Sequence, residues 1–86
     1  MSSRVAVMSI IVENRDSVEK INVLLHDHGK YIIGRMGIPY REKNINLISI
    51  AIDAPHDVLS ALAGKIGNLP GVSVKTVLPN VTTDAT

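Results

Sequence analysis

From Arg4 to Val12, apolar residues occupy both parities of the chain. Val5, Val7 and Ile11 lie on one, and Ala6, Met8, Ile10 and Val12 on the other. Apolar side chains on both faces predict a central strand covered on each side. The polar run Glu13–Ser17 then opens a helix, with Asn14 as N-cap and Asp16 favoured near the positive helix end. Val18, Ile21 and Leu25 form its inward stripe, and Gly29 is the expected stop. Tyr31 to Ile38 reads as a second strand, interrupted by Gly34 and Gly37, and Pro39–Asn44 as a turn. Ile45 to Asp53 is the cleanest strand, with Ile48, Ile50 and Ile52 on one face and Leu47, Ser49 and Ala51 on the other. Ala54 precedes a proline and is placed as N-cap, with Pro55 at the first helical position. Asp57 suits that first turn, and Val58, Leu62, Ile66 and Leu69 supply the stripe of a helix ending near Gly67–Asn68. Gly71 turns the chain into a last strand, Val72 to Leu78.

The order β-α-β-β-α-β, with right-handed crossovers, predicts an α+β, ferredoxin-like fold. It is a four-stranded antiparallel sheet of order 4-1-3-2 with both helices on one face. Residues 1–78 form a single domain under this reading, and 79–86 a flexible C-terminal tail. The other sheet face stays uncovered within one chain, although strand 1 is apolar on both parities. A homo-oligomer, dimer or tetramer through the sheet, is therefore expected.

Size strengthens that expectation. A chain of 86 residues buries only about 60–65% of its unfolded surface and commonly needs a staple. There is no cysteine, which excludes disulfides and thiolate-held metals. There is no Phe or Trp, and Tyr31 and Tyr40 are the only aromatics, so the core must be aliphatic. The formal charge is +1, from nine basic and eight acidic residues dispersed along the chain. Without a basic run, no direct nucleic-acid binding and no membrane surface are expected. No signal peptide or membrane-spanning run is legible, and a cytoplasmic location is the expectation.

Functional groups concentrate in Arg35–Asn44. Arg35, Tyr40, Arg41 and Asn44 could bind a small anionic effector, since guanidinium forks match carboxylate and phosphate geometry. The structural alternative pairs these arginines with Glu42, Asp53 or a neighbouring subunit. His26 and His28 would point about 200° apart on a helix and cannot share one ion, so no metal site is expected and the histidines read as surface groups. Gly64–Gly67 lies in a helix pattern rather than between strand and helix, and its glycines read as permitting close packing and termination. RNA recognition on such a sheet needs stacking aromatics, where this chain offers Met8, Ser9, Ser49 and Ile50. No serine–histidine–acid or paired-carboxylate spacing marks a catalyst.

Three segments, Ile11–Arg15, Arg35–Asn44 and Ala61–Thr76, resemble the small proteins named as iron-only hydrogenase system regulators. The likeness runs from Arg4 to Val77. It implies an ACT-like form of the ferredoxin-like fold, similar to the C-terminal domain of the nickel-responsive repressor, and a regulatory, oligomer-forming role. The chain departs from that repressor in having no cysteine for a metal site, and no ribbon-helix-helix is expected ahead of strand 1. It departs from amino-acid-binding ACT domains in lacking glycine in the turn after strand 1. The resulting expectation is a non-catalytic, effector-sensing module of unknown cofactor. A small ferredoxin-like enzyme or a metal-responsive protein is the alternative.

Overall fold

The computed structural model describes residues 3–79. The chain runs β1 (Arg4–Val12), α1 (Asp16–Asp27), β2 (Ile32–Tyr40), β3 (Ile45–Ala54), α2 (His56–Gly67) and β4 (Val72–Val77). The strands form one antiparallel sheet in the order β2-β3-β1-β4, the expected 4-1-3-2 read from the other edge. The fold is therefore the ferredoxin-like α+β arrangement. The expected tail from Asn80 onward lies outside the described residues.

Packing decides between the two parities of β1. Ala6, Met8, Ile10 and Val12 are buried, and they face Ile48, Ile50, Ile52 and Ala54 of β3 in register. Ile21 and Leu25 of α1 and Leu59, Leu62 and Ile66 of α2 close over them in one aliphatic cluster. The odd parity, Val5, Val7 and Ile11, is turned to the opposite face and stays exposed.

Several element ends differ from expectation, each for a local reason. β2 continues through Pro39 to Tyr40, whereas the sequence reading ended it at Ile38 and made Pro39–Asn44 the turn. β2 is an edge strand, so the N–H that proline lacks can face the free side at no cost to the ladder. The turn itself is a single 3-10 turn, Arg41–Lys43, closed by Asn44 in the left-handed conformation (φ 56°, ψ 42°), which asparagine tolerates better than most residues. Ile33 forms the irregularity where β2 shifts register against β3 between Ile32 and Gly34.

Ala54 ends β3 and is buried, so the residue flanking α2 is Pro55 rather than Ala54. The inward stripe of α2 is accordingly Leu59, Leu62 and Ile66, and Val58 sits half-buried beside it. Gly29 does not stop α1 by a left-handed turn: Gly71 is the only described glycine with positive φ, and α1 passes into a 3-10 turn at Gly29–Tyr31. Gly64 has open space around its Cα, so close packing explains Gly67, 3.1 Å from Val74 for an added Cβ, but not Gly64.

The start of α1 is tied to the loop before β4. Asn14 Oδ1 accepts the Asp16 N–H (3.0 Å) and the Asn14 carbonyl accepts the Ser17 N–H (3.0 Å), so Asn14 caps the helix although α1 begins one residue later than a strict N-cap would place it. Glu13 N–H donates to the Gly71 carbonyl (2.7 Å), and the buried Ser17 hydroxyl donates to the Pro70 carbonyl (2.7 Å). Ser17 was absent from the sequence-derived core because serine carries no apolar signal. Ser17→Ala should lower stability by about 1 kcal/mol, since exposed Pro70 can recover a water for its carbonyl. Urea denaturation would read the loss as a lower midpoint at unchanged slope.

Candidate functional site

The β2–β3 hairpin tip stands beside the first turns of α1, and between them lies a cleft of about 360 Å³. The hairpin contributes Pro39, Tyr40, Arg41, Asn44, Ile45 and Asn46, and α1 with its lead-in contributes Arg15, Val18 and Glu19. The three apolar residues form its greasy part. Two guanidiniums, one carboxylate, two carboxamides and a phenol supply the chemistry. The balance of two cations against one anion leaves the cleft positive.

Tyr40, Arg41 and Asn44 thus come together as the sequence suggested. Arg35 does not join them. It lies on the helix-side parity of β2, opposite Ile50, where neither helix covers the edge strand. Its Nη2 donates to Asn22 Oδ1 on α1 (2.9 Å). The expected pairing of arginines with Glu42 is replaced by a different bond, from the Tyr40 hydroxyl to Glu42 Oε2 (3.2 Å). Among the described residues no side-chain hydrogen bond occupies Arg15 or Arg41. Both are exposed, so each alone would hold an anion weakly, and convergence is what gives the cleft its potential.

Arg15 and Glu19 were missed. They lie about 25 residues before the hairpin in sequence, and only the fold brings them alongside it. The available signal was Arg15 itself, which closes the first of the three segments carrying the family likeness. Arg15 lies within the segment that the Glu13–Gly71 and Ser17–Pro70 hydrogen bonds tie to the loop before β4.

The histidines take no part. His26 and His56 are exposed. His28, expected at the surface, is half-buried, and its Nδ1–H donates to the Leu24 carbonyl (2.7 Å), satisfying one of the last carbonyls of α1. Among the described residues no three metal-ligating side chains cluster. No described helix is long and apolar enough to cross a membrane.

Fold and cleft together define a small ferredoxin-like domain with a cationic cleft at one end of its sheet. Residues 4–76 match the TM1266-like family, described as "Iron-only hydrogenase system regulator, putative", and the chain belongs to that family. The structure of protein TM1266 from Thermotoga maritima is similar at 35% identity and TM-score 0.84, covering 88% of this chain and 96% of that one. More distant structures share the fold alone. The C-terminal domain of the MgtC protein from Mycobacterium tuberculosis aligns at 10% identity and TM-score 0.72, over 98% of this chain and 96% of that one. A formyltetrahydrofolate deformylase from Pseudomonas putida KT2440 aligns at 12% identity and TM-score 0.67, over 90% of this chain but 29% of that one. Comparison with the curated proteins gives no significant match.

Proposed function

We propose that this chain is a non-catalytic, oligomer-forming regulatory module of an iron-only hydrogenase system, and that it senses a small anionic effector in the hairpin cleft. One observation carries the reading. Arg15 and Arg41, from separate parts of the chain, line one cleft with Tyr40 and Asn44, and neither guanidinium is engaged by a side chain among the described residues. Family membership supplies the regulatory context. The cleft suits an anion with a compact apolar or planar body: the guanidiniums take the charge, Asn44 and Asn46 offer directional bonds, and Pro39, Val18 and Ile45 offer contact area. Glu19 would reject ligands of high negative charge density on its side.

A thermal-shift series with inorganic phosphate, citrate and adenosine monophosphate tests this. A ligand present at 100 times its Kd stabilises the native state by about 2.7 kcal/mol, roughly 10–20 °C in Tm for a domain of this size. Arg41→Ala should abolish the rise while shifting the unliganded melt by less than about 1 kcal/mol. Arg35→Ala should retain it, because Arg35 lies outside the cleft. If none of these probes moves the melt, or if the rise survives in Arg41→Ala, the effector reading fails.

A further inference from the structure

On the outer side of the helical layer, between α1 and α2, runs a groove of about 510 Å³. Lys20, Val23 and Leu24 of α1 line it, with Lys65, Asn68 and Leu69 from the C-terminal end of α2. At about 100° per residue, Ile21 and Leu25 point into the core, while Leu24, Lys20 and Val23 turn progressively outward. The floor is therefore aliphatic. Leu24 and Leu69 are only partly buried against the core, and Val23 is 60% exposed. The charge is one-sided, since a lysine stands on each helix and no carboxylate lines the groove. Among the described residues neither ammonium takes part in a side-chain hydrogen bond. Asp16 and Asp27, at the two ends of α1, lie outside the lining and confine the attraction for an anion to the middle turns. Gly64 adds a further feature. A glycine inside a helix costs about 0.5–1 kcal/mol, and nothing in the chain lies within 4 Å of a Cβ added there. Packing within the domain does not account for it. It stands one turn before Asn68, where the missing side chain keeps the outer ridge of α2 low.

We propose that this groove docks an amphipathic α-helix of a partner protein, one whose apolar stripe is flanked by aspartate or glutamate. Shape and charge choose the occupant. A helix laid along an apolar groove seats a stripe of side chains at i, i+3/i+4 and i+7, and helix axes pack about 8–10 Å apart where the facing side chains are small. Gly64 provides such a place. A single acyl chain on the floor would leave Val23 wet. A second copy of this chain would set the same two lysines against each other, with no lining carboxylate to answer them. Acids on a partner helix, opposite Lys20 and Lys65, would steer the encounter and fix its register. The contact is small and belongs with transient interfaces. It shares no lining residue with the hairpin cleft, and it does not depend on effector binding.

The probe is a labelled peptide of about 18 residues, long enough to be partly helical alone, with a leucine stripe flanked by glutamates. Fluorescence anisotropy should show saturable binding with Kd below about 1 mM, at least about tenfold tighter than the same peptide with lysines in place of the glutamates. Lys20→Glu combined with Lys65→Glu should reverse that preference while circular dichroism keeps the native signature. Lys43→Glu combined with Lys75→Glu makes the same change in net charge away from the groove and should leave the preference as it is. Gly64→Gln, which raises the ridge, and Val23→Ser, which removes apolar contact, should each weaken the glutamate peptide. Four results overturn the proposal: no saturable binding of the glutamate peptide, equal binding of the two peptides, a preference that survives in Lys20→Glu/Lys65→Glu, or binding only to phosphatidylglycerol vesicles, which would make the groove a lipid contact. No small anion is added in these measurements, so the groove and the effector cleft fail independently of each other.

Discussion

Replacing Gly71 by alanine should remove about 2–3 kcal/mol of stability, a drop of roughly 10–20 °C in Tm at this chain length. Two costs add. The backbone at Gly71 has φ +69°, where an L side chain is strained. A Cβ there would lie 2.8 Å from Asn14 Cβ and 2.9 Å from Asn14 N, so main chain as well as side chain would have to move. The displaced segment is the one that caps α1 and carries Arg15. The damage should therefore reach the cleft, and any ligand-dependent rise in Tm should shrink beyond what lost stability alone explains. Gly64→Ala is the matched control. It sits inside α2 with nothing within 4 Å of an added Cβ, so alanine should stabilise by about 0.5–1 kcal/mol. Equal effects at the two glycines would contradict the geometry of the Asn14–Gly71 contact.

Ile50→Ala should be the most damaging single truncation, at about 2–5 kcal/mol. Ile50 is fully buried, faces Met8 across the β1–β3 ladder and belongs to the cluster shared with both helices. A chain of 86 residues has only about 4–13 kcal/mol in total, so the loss is a large fraction of it and Tm should fall by roughly 10–40 °C. Leu47→Ala, three residues away on the opposite face and 37% exposed, should cost less than about 1 kcal/mol. Urea midpoints for the two variants check this. A Leu47→Ala midpoint as low as that of Ile50→Ala would mean the two faces of β3 are misassigned.

Much of the architecture was legible because it depends on short-range pattern. Alternating apolar residues in β3 and the Ile21–Leu25 stripe each commit a segment through its own neighbours. The strand order then followed from handedness and connection length. The errors fall where a distant element decides. Pro39, expected in the turn, is strand because β2 is an edge whose outer side needs no donor. Ala54 became strand because Arg4 of β1 pairs with it. Leu59 rather than Val58 takes the buried position in the first turn of α2, with Val58 half-buried beside it.

The site divides along the same line. Tyr40, Arg41 and Asn44 were visible as a cluster because they are near neighbours in sequence, and a hairpin keeps them together. Arg35 belongs to the same run of sequence yet left the site, since strand alternation sends it to the face that Asn22 reaches. Arg15 and Glu19 entered from the start of α1. Composition and periodicity by themselves determined an aliphatic, two-helix, four-stranded antiparallel arrangement. Which parity of β1 lies under the helices was decided only by tertiary structure, because both parities are apolar and local pattern cannot rank them. The ladder to β3 breaks that tie: it aligns Ala6, Met8 and Ile10 with the isoleucines at 52, 50 and 48, and those are the residues that the two helix stripes can cover.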